Sequence, residues 1–338
     1  MVAVALLGVV VAGVVGAVLL ARDDAAPARG ELIAYGCKEQ GNRWYAICVI
    51  GVDGAGPTRV TSRLTTTDPA WSPDGRRIAF TRNQEVGEFT TFTGDDVFVM
   101  DADGDDVRQL TTHGTGRSTW QPAWSPDGRR IVYVSGNSVA TNVPQRWGAL
   151  FVADEDGSDA QRVTHGRTDT SPAWSPDGRE IAFARCERYA SSPLPRCAQD
   201  LFVVDPAGSA LRRLTTSKRL SEVVPAWSPD GSQIAFVTLA PIDAPELQGK
   251  EGVYVMNRDG SGVRRVLAQH YLEDVVTSLA WSPSGRTIAF ETSPALVCTS
   301  ISLVDVDDGS VGPLTSCKGP SQTTVSPAWQ PDTRAKDR

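Results

Sequence analysis

The side chains best suited to covalent chemistry are six cysteines, which fall into three close pairs: Cys37/Cys48, Cys186/Cys197 and Cys298/Cys317. No pair has the Cys-x-x-Cys spacing of a zinc site, and no histidine sits beside them. An even count in near pairs, behind an export-like apolar segment, reads as three disulfides formed in an oxidising compartment. The three histidines, His113, His165 and His270, each follow a strand end such as Leu110-Thr111 or Val163-Thr164. A ring of histidines binds metal or senses pH, but positions leaving an outermost strand lie on the rim, where they diverge. Acidic turns such as Asp101 to Asp106 and Asp154 to Asp159 resemble calcium loops only faintly, because they lack the spaced oxygen ligands and the terminal Glu of an EF-hand. There is no Gly-x-Ser-x-Gly elbow, no His-Glu-x-x-His zinc helix and no Gly-rich nucleotide loop. The sequence therefore assigns no residue to catalysis, to a metal or to a cofactor.

The elements that must position these residues repeat. Pro69-Ala70-Trp71-Ser72-Pro73-Asp74-Gly75 recurs at Pro122 to Gly128, Pro172 to Gly178 and Pro225 to Gly231. It returns as Leu279 to Gly285, with Ser284 in place of Asp, and as Pro327 to Asp332. Trp71, Trp124, Trp174, Trp227, Trp281 and Trp329 are thus 53, 50, 53, 54 and 48 residues apart, a period that suits propeller blades of about four strands. Each unit reads as a β-meander. A first strand ends in Ala-Trp, and Ser-Pro-Asp-Gly makes a turn because Pro presets φ and Asp-Gly suits the reversal. A second strand carries Ile78-Ala79-Phe80 or its equivalents, a third strand follows, and after an acidic-glycine turn a fourth ends at Leu-Thr. One tryptophan per unit at an equivalent position argues for packing between neighbours rather than an aromatic ligand site.

The chain ends complete the pattern. Residues 31 to 61 supply strands two to four of a unit without its first strand, and Val325 to Trp329 supply only that first strand. Unpaired edges are avoided in folded proteins, so the two ends are expected to share one blade. The expectation is an all-β, six-bladed β-propeller of four-stranded antiparallel blades over residues 31–332, with a tail at 333–338 and an N-terminal apolar helix before it. Met1 to Leu20 carry no charged side chain and stop at Arg22, Asp23 and Asp24. Roughly 20 apolar residues match a hydrocarbon core of about 30 Å, whereas a cleavable signal has an apolar run of only about 7–15 residues. Residues 1–21 are therefore read as a membrane anchor or a signal segment, and 22–30 as a linker.

The units are similar to the TolB-type, WD-repeat-like propeller family, whose repeat carries Pro-x-Trp-Ser-Pro-Asp-Gly-x-x-Ile-Ala-Phe. The likeness spans residues 31 to 332, and it implies an envelope protein-binding scaffold whose partner is an envelope protein. A net charge of −7 disfavours nucleic acid. In an up-and-down meander the short Ser-Pro-Asp-Gly and acidic-glycine turns share one face. The variable connections share the other, among them Asn83 to Asp95, Ser135 to Trp147, Arg185 to Gln199 and Thr238 to Gly252. Variable loops on a rigid frame are where recognition usually sits, so binding is expected at that mouth of the central channel, outside the membrane. A channel-mouth site for a small ligand or carbohydrate is the alternative, and a hydrolase or lyase with an acidic channel site a further one.

Overall fold

The structure, a computed structural model, describes residues 32–38, 45–53, 57–61, 66–86, 91–112, 117–137, 148–166, 168–189, 197–217, 220–240, 249–268, 278–292, 300–315 and 323–332. The chain begins with β1 (Leu32–Lys38), β2 (Ala46–Gly51) and β3 (Thr58–Arg59). The Trp71 repeat contains β4 (Thr66–Trp71), β5 (Arg77–Val86), β6 (Thr91–Asp101) and β7 (Arg108–Gln109). The Trp124 repeat contains β8 (Arg117–Trp124), β9 (Arg130–Asn137), β10 (Gly148–Asp154) and β11 (Gln161–Arg162). The Trp174 repeat contains β12 (Asp169–Trp174), β13 (Ile181–Tyr189), β14 (Cys197–Val204) and β15 (Arg212–Arg213). Next come β16 (Ser221–Trp227), β17 (Gln233–Leu239), β18 (Gly252–Asn257) and β19 (Arg264–Ala268) of the Trp227 repeat. The chain finishes with β20 (Leu279–Trp281), β21 (Thr287–Thr292), β22 (Ser300–Asp305), β23 (Val311–Pro313) and β24 (Thr323–Trp329).

Six separate four-stranded blades are not what forms. Among the described residues four sheets are separate and four-stranded, and the Trp124 and Trp174 repeats merge into one eight-stranded sheet. The join is a single pairing of Gly148 in β10 with Asp169 in β12. A side chain at Gly148 would collide with the Ser135 carbonyl of the adjoining β9, so glycine is what lets β10 lie against β9 at this point, while Asp169 is buried completely. Among the described residues there is no helix, and residues 1–21, where the apolar helix is expected, lie outside them. The inner strands β4, β8, β12, β16, β20 and β24 touch in that order around a ring. β24 pairs with β1, setting Trp329 opposite Ile33 and Ala328 opposite Ala34.

Two recurring devices fasten neighbours together. The serine of each Ser-Pro-Asp-Gly turn accepts the amide that opens the next strand, as Arg77, Arg130 and Gln233 each donate to Ser72, Ser125 and Ser228 at 2.9 Å. The turn glycine then packs on the turn proline of the preceding copy: Gly128 on Pro73, Gly178 on Pro126, Gly231 on Pro176 and Gly285 on Pro229. Gln330 replaces serine in the last copy and closes the circuit, its amide donating to the Gly75 carbonyl at 3.1 Å. On the opposite face the Leu-Thr threonine accepts an amide from the third strand, as Thr61 does from Ile47 at 2.8 Å and Thr164 from Leu150 at 2.9 Å. Its hydroxyl also reaches the inner strand of the next repeat: Thr61 to Thr66, Thr111 to Thr119, Thr164 to Asp169 and Thr215 to Glu222. Between these fastenings the second strands bury both faces, with Phe80, Phe183, Phe236 and Phe290 among the largest enclosed side chains.

Candidate functional site

The x-Pro-Ala-Trp segment of each inner strand sets the wall of the central channel. The ladder skips a step between Thr67 and Ala70, Trp120 and Ala123, Thr170 and Ala173, and Val223 and Ala226. At each bulge the residue before proline has a left-handed backbone: Asp68 at φ 52°, Gln121 and Ser171 at 53°, Val224 at 48°, and Ser326 at 56° in the last copy. Proline disfavours right-handed helical geometry in the residue before it, and the bulge re-aims that residue out of the ladder. Each left-handed non-glycine residue costs roughly 1–3 kcal/mol, and such strain clusters at functional sites. In the Trp281 copy Leu279 replaces proline, and over the described residues Leu279 to Trp281 the ladder is continuous.

These residues line a central cavity of about 800 Å³. Toward the loop face its wall is polar. The Ser326 hydroxyl donates to Asp68 Oδ1 at 3.1 Å, and the Ser326 amide donates to Glu291 Oε2 at the same distance. Ser278 adds a hydroxyl donor to Glu291 Oε2 at 3.1 Å, and the Ser171 amide donates to Gln121 Oε1 at 2.8 Å. Toward the turn face the wall is the six repeat tryptophans. The indole N–H groups of Trp227, Trp281 and Trp329 donate to the carbonyls of Ala173, Ala226 and Ala280 at 3.2, 3.0 and 3.1 Å. The tryptophans are therefore packing residues, as their spacing implies, and cavity residues as well. Asp68 and Glu291 bring two carboxylates to the lining, which among the described residues contains no Lys, Arg or His.

The residues singled out from sequence fare unevenly. Cys37 and Cys48 form a disulfide across β1 and β2, with Cα atoms 5.8 Å apart. Cys186 is disulfide-bonded, while the side chain of Cys197 and both Cys298 and Cys317 lie outside the described residues. His165 is exposed, and His113 and His270 lie outside the described residues. The acidic segments form turns, with the Gly104 amide on the Asp101 carbonyl at 3.0 Å and the Gly157 amide on Asp154 at 2.9 Å. Of the variable loops the structure describes the stems. The β5–β6 ladder runs out to Val86 opposite Thr91, and the β13–β14 ladder to Tyr189 opposite Cys197. Sequence reasoning passed over Asp68, Gln121, Ser171, Ser278, Glu291 and Ser326. For all but Glu291 the signal is present: each is the one variable position directly before a repeated Pro-Ala-Trp or Leu-Ala-Trp.

A second set of acids lies buried at the loop face. Asp169 accepts both Arg185 Nε at 2.6 Å and a terminal guanidinium nitrogen at 2.9 Å, and also the Thr164 hydroxyl. Glu222, at the equivalent position of the next repeat, receives only neutral donors, Ser217 at 3.0 Å and Thr215 at 3.4 Å. Burial pushes its carboxyl up to about 7, with Asp200 adding to the rise. The folded chain thus holds this proton more tightly than the unfolded chain does. The associated stability is complete below about pH 4.5 and is lost as pH rises through 7. The gap corresponds to roughly 3 kcal/mol. Glu222→Gln should accordingly melt close to the parent at pH 5 and several degrees above it at pH 8.5. Parallel melting curves at both pH values would contradict the assignment.

The chain matches no known family model. It is 30% identical over 105 residues to an uncharacterized peptidase, YuxL, of Bacillus subtilis, covering 31% of this chain and 15% of that one. It is 33% identical over 121 residues to the uncharacterized protein Atu1656 of Agrobacterium fabrum, covering 35% of each. The chain thus matches only a minor part of either relative. Among solved structures, TolB from Acinetobacter baumannii superposes with a TM-score of 0.66 at 20% identity, covering 89% of this chain and 67% of that one. The Agrobacterium tumefaciens protein described as TolB gives 0.58 at 18%, covering 88% and 98%. A puromycin hydrolase gives 0.53 at 18%, covering 81% of this chain but 43% of the hydrolase. The fold is that of the TolB-type propellers.

Proposed function

We propose that this chain is an extracytoplasmic scaffold that binds a segment of another protein at the loop-face mouth of its central cavity, held at a membrane by residues 1–21. The cavity carries the reading: about 800 Å³, walled by tryptophans on one side and by hydroxyls, amides and two carboxylates on the other. Aromatic walls with a few placed polar groups suit recognition, and strained backbone at five lining positions is the kind of feature kept for function. With Asp68 and Glu291 and, among the described residues, no basic residue in the lining, the favoured occupant presents a cationic or hydrogen-bond-donating group. The Cys37–Cys48 disulfide fits an oxidising compartment.

A photo-crosslinking residue at Gln121 or Ser171 should give one discrete protein adduct in intact cells. The same residue at Asp103, on the turn face, should give none, and Asp68→Asn should weaken the cavity adduct. Equal labelling from both faces would refute a loop-face site. Peptide or glycan hydrolysis that disappears on Asp68→Asn or Glu291→Gln would replace the binding reading with a catalytic one.

A further inference from the structure

The seam between the Trp174 and Trp227 repeats encloses a separate cavity of about 330 Å³, and the repeat itself indicates what belongs there. In the Trp174 repeat, Asp169 stands opposite Arg185 on the adjacent strand, and Phe183 stands opposite Phe202. The Arg185 guanidinium makes the bidentate pair with Asp169 and lies 5.0 and 5.3 Å from the centres of the two rings. In the Trp227 repeat the matching register sets Glu222 opposite Thr238 and Phe236 opposite Tyr254. The ring pairs superimpose in kind: centroids 5.8 Å apart at 26° in one, 5.7 Å at 25° in the other. The acid and the aromatic pair are retained, but the arginine is replaced by a threonine too short to occupy its place. Glu222, Phe236, Thr238 and Tyr254 all line the resulting cavity.

We infer that this seam binds an alkylguanidinium group, with Glu222 as its anion and the Phe236–Tyr254 pair as its aromatic wall. Planar, weakly hydrated guanidinium matches a carboxylate bidentately and stacks on aromatic faces, which an ammonium does less well. Among the described residues the neighbouring charges leave the position open. Arg213 is committed to Asp200 and to the Thr215 carbonyl, the latter at 2.7 Å. Lys250 lines the mouth and is exposed, and Tyr254 donates its hydroxyl to the Lys250 carbonyl at 2.7 Å. Among the described residues no cation forms an ion pair with Glu222. Its carboxyl, held protonated to about 7 by burial, releases that proton to solvent when a guanidinium pairs with it, so binding tightens as pH rises. The site is lateral to the central cavity and does not depend on the function proposed for it.

The test is calorimetric titration of the full chain with agmatine, with acetyl-Gly-Arg-Gly-amide and with butylamine. Agmatine is expected to bind saturably at pH 8, roughly tenfold more weakly at pH 6, and at least tenfold more weakly to a folded Glu222→Gln variant. Thr238→Arg, which supplies the missing guanidinium from within, should abolish binding and raise the melting temperature. Binding of the tripeptide as well as agmatine would identify an arginine side chain as an acceptable source, and agmatine alone a small molecule; either supports the chemistry. No binding at millimolar agmatine, equal binding by Glu222→Gln, or butylamine binding as tightly as agmatine would overturn it. Lys218 and Arg219 lie in the chain between the lining residues Ser217 and Leu220, so binding that emerges only in Lys218→Ala or Arg219→Ala would also overturn it, because one of the chain's own cations would then be the occupant.

Discussion

A chain ending at Gln322 should fail to reach the native fold. β24 is the inner strand of the first sheet, and without it β1 keeps an uncovered edge along Ile33, Ala34 and Gly36. The loss also removes Trp329 with its bond to Ala280, the Ser326–Asp68 link and the bonds of Gln330 to the Leu32 carbonyl at 2.8 Å and to Gly75. These are the ties between the end of the ring and its beginning. Their combined loss is comparable with the whole stability of a typical domain, about 5–15 kcal/mol. Circular dichroism and limited proteolysis would register the outcome, and a truncated chain melting within a few degrees of the parent would disprove ring closure through β24. A peptide of residues 323–338 added in trans should restore part of the signal at high concentration, because the site it vacated is a preformed strand slot.

The second large effect is expected at Asp169. Its carboxylate is wholly buried and carries the bidentate bond from Arg185 and the hydroxyl of Thr164. Asp169→Ala leaves a nearly buried guanidinium without its anion, a change that costs roughly 3–5 kcal/mol when one partner of a buried pair is removed. For a chain of this size that is on the order of 10 °C in melting temperature. The double replacement Asp169→Leu with Arg185→Met should recover most of the loss, since a buried pair exchanged for apolar groups of similar volume is often neutral. A double variant no more stable than Asp169→Ala would place the loss elsewhere, for example in the Gly148–Asp169 bridge.

Much of this architecture is legible in the sequence, because the period-fifty tryptophan motif carries strand, turn and packing signals together. Pro, Asp and Gly fix the turns at Ser72 to Gly75 locally, without help from tertiary structure. The merger of two repeats was not legible, since it turns on one backbone approach at Gly148. The cavity residues were hidden for a different reason. Period-2 alternation predicts which side chains share a face, but the bulges at Asp68, Gln121, Ser171 and Val224 break that alternation before the tryptophan. The unequal fates of Asp169 and Glu222 depend on which residue stands opposite each across the sheet, Arg185 or Thr238, and that register exists only after folding. The Leu-Thr strand ends were visible as a pattern, but the reach of each threonine to the next inner strand was not.

The bridge between Gly148 and Asp169 has a mechanical consequence. It turns two neighbouring repeats into a stiffer arc; among the described residues the other seams are held by side chains and turn contacts, with one backbone bond from the Thr66 amide to the Tyr45 carbonyl at 3.3 Å where β4 meets the first sheet. Breathing of the ring is then expected mainly on the far side, around β20 and β24. That is the side bearing Glu291, Ser326 and Asp68. The acidic half of the cavity is thus the compliant jaw, and the half built on Gln121 and Ser171 is the fixed one. Amide hydrogens of β9, β10, β12 and β13 should exchange most slowly, and those of β20 and β24 sooner. An incoming segment would press the moving jaw outward against an anvil that does not yield.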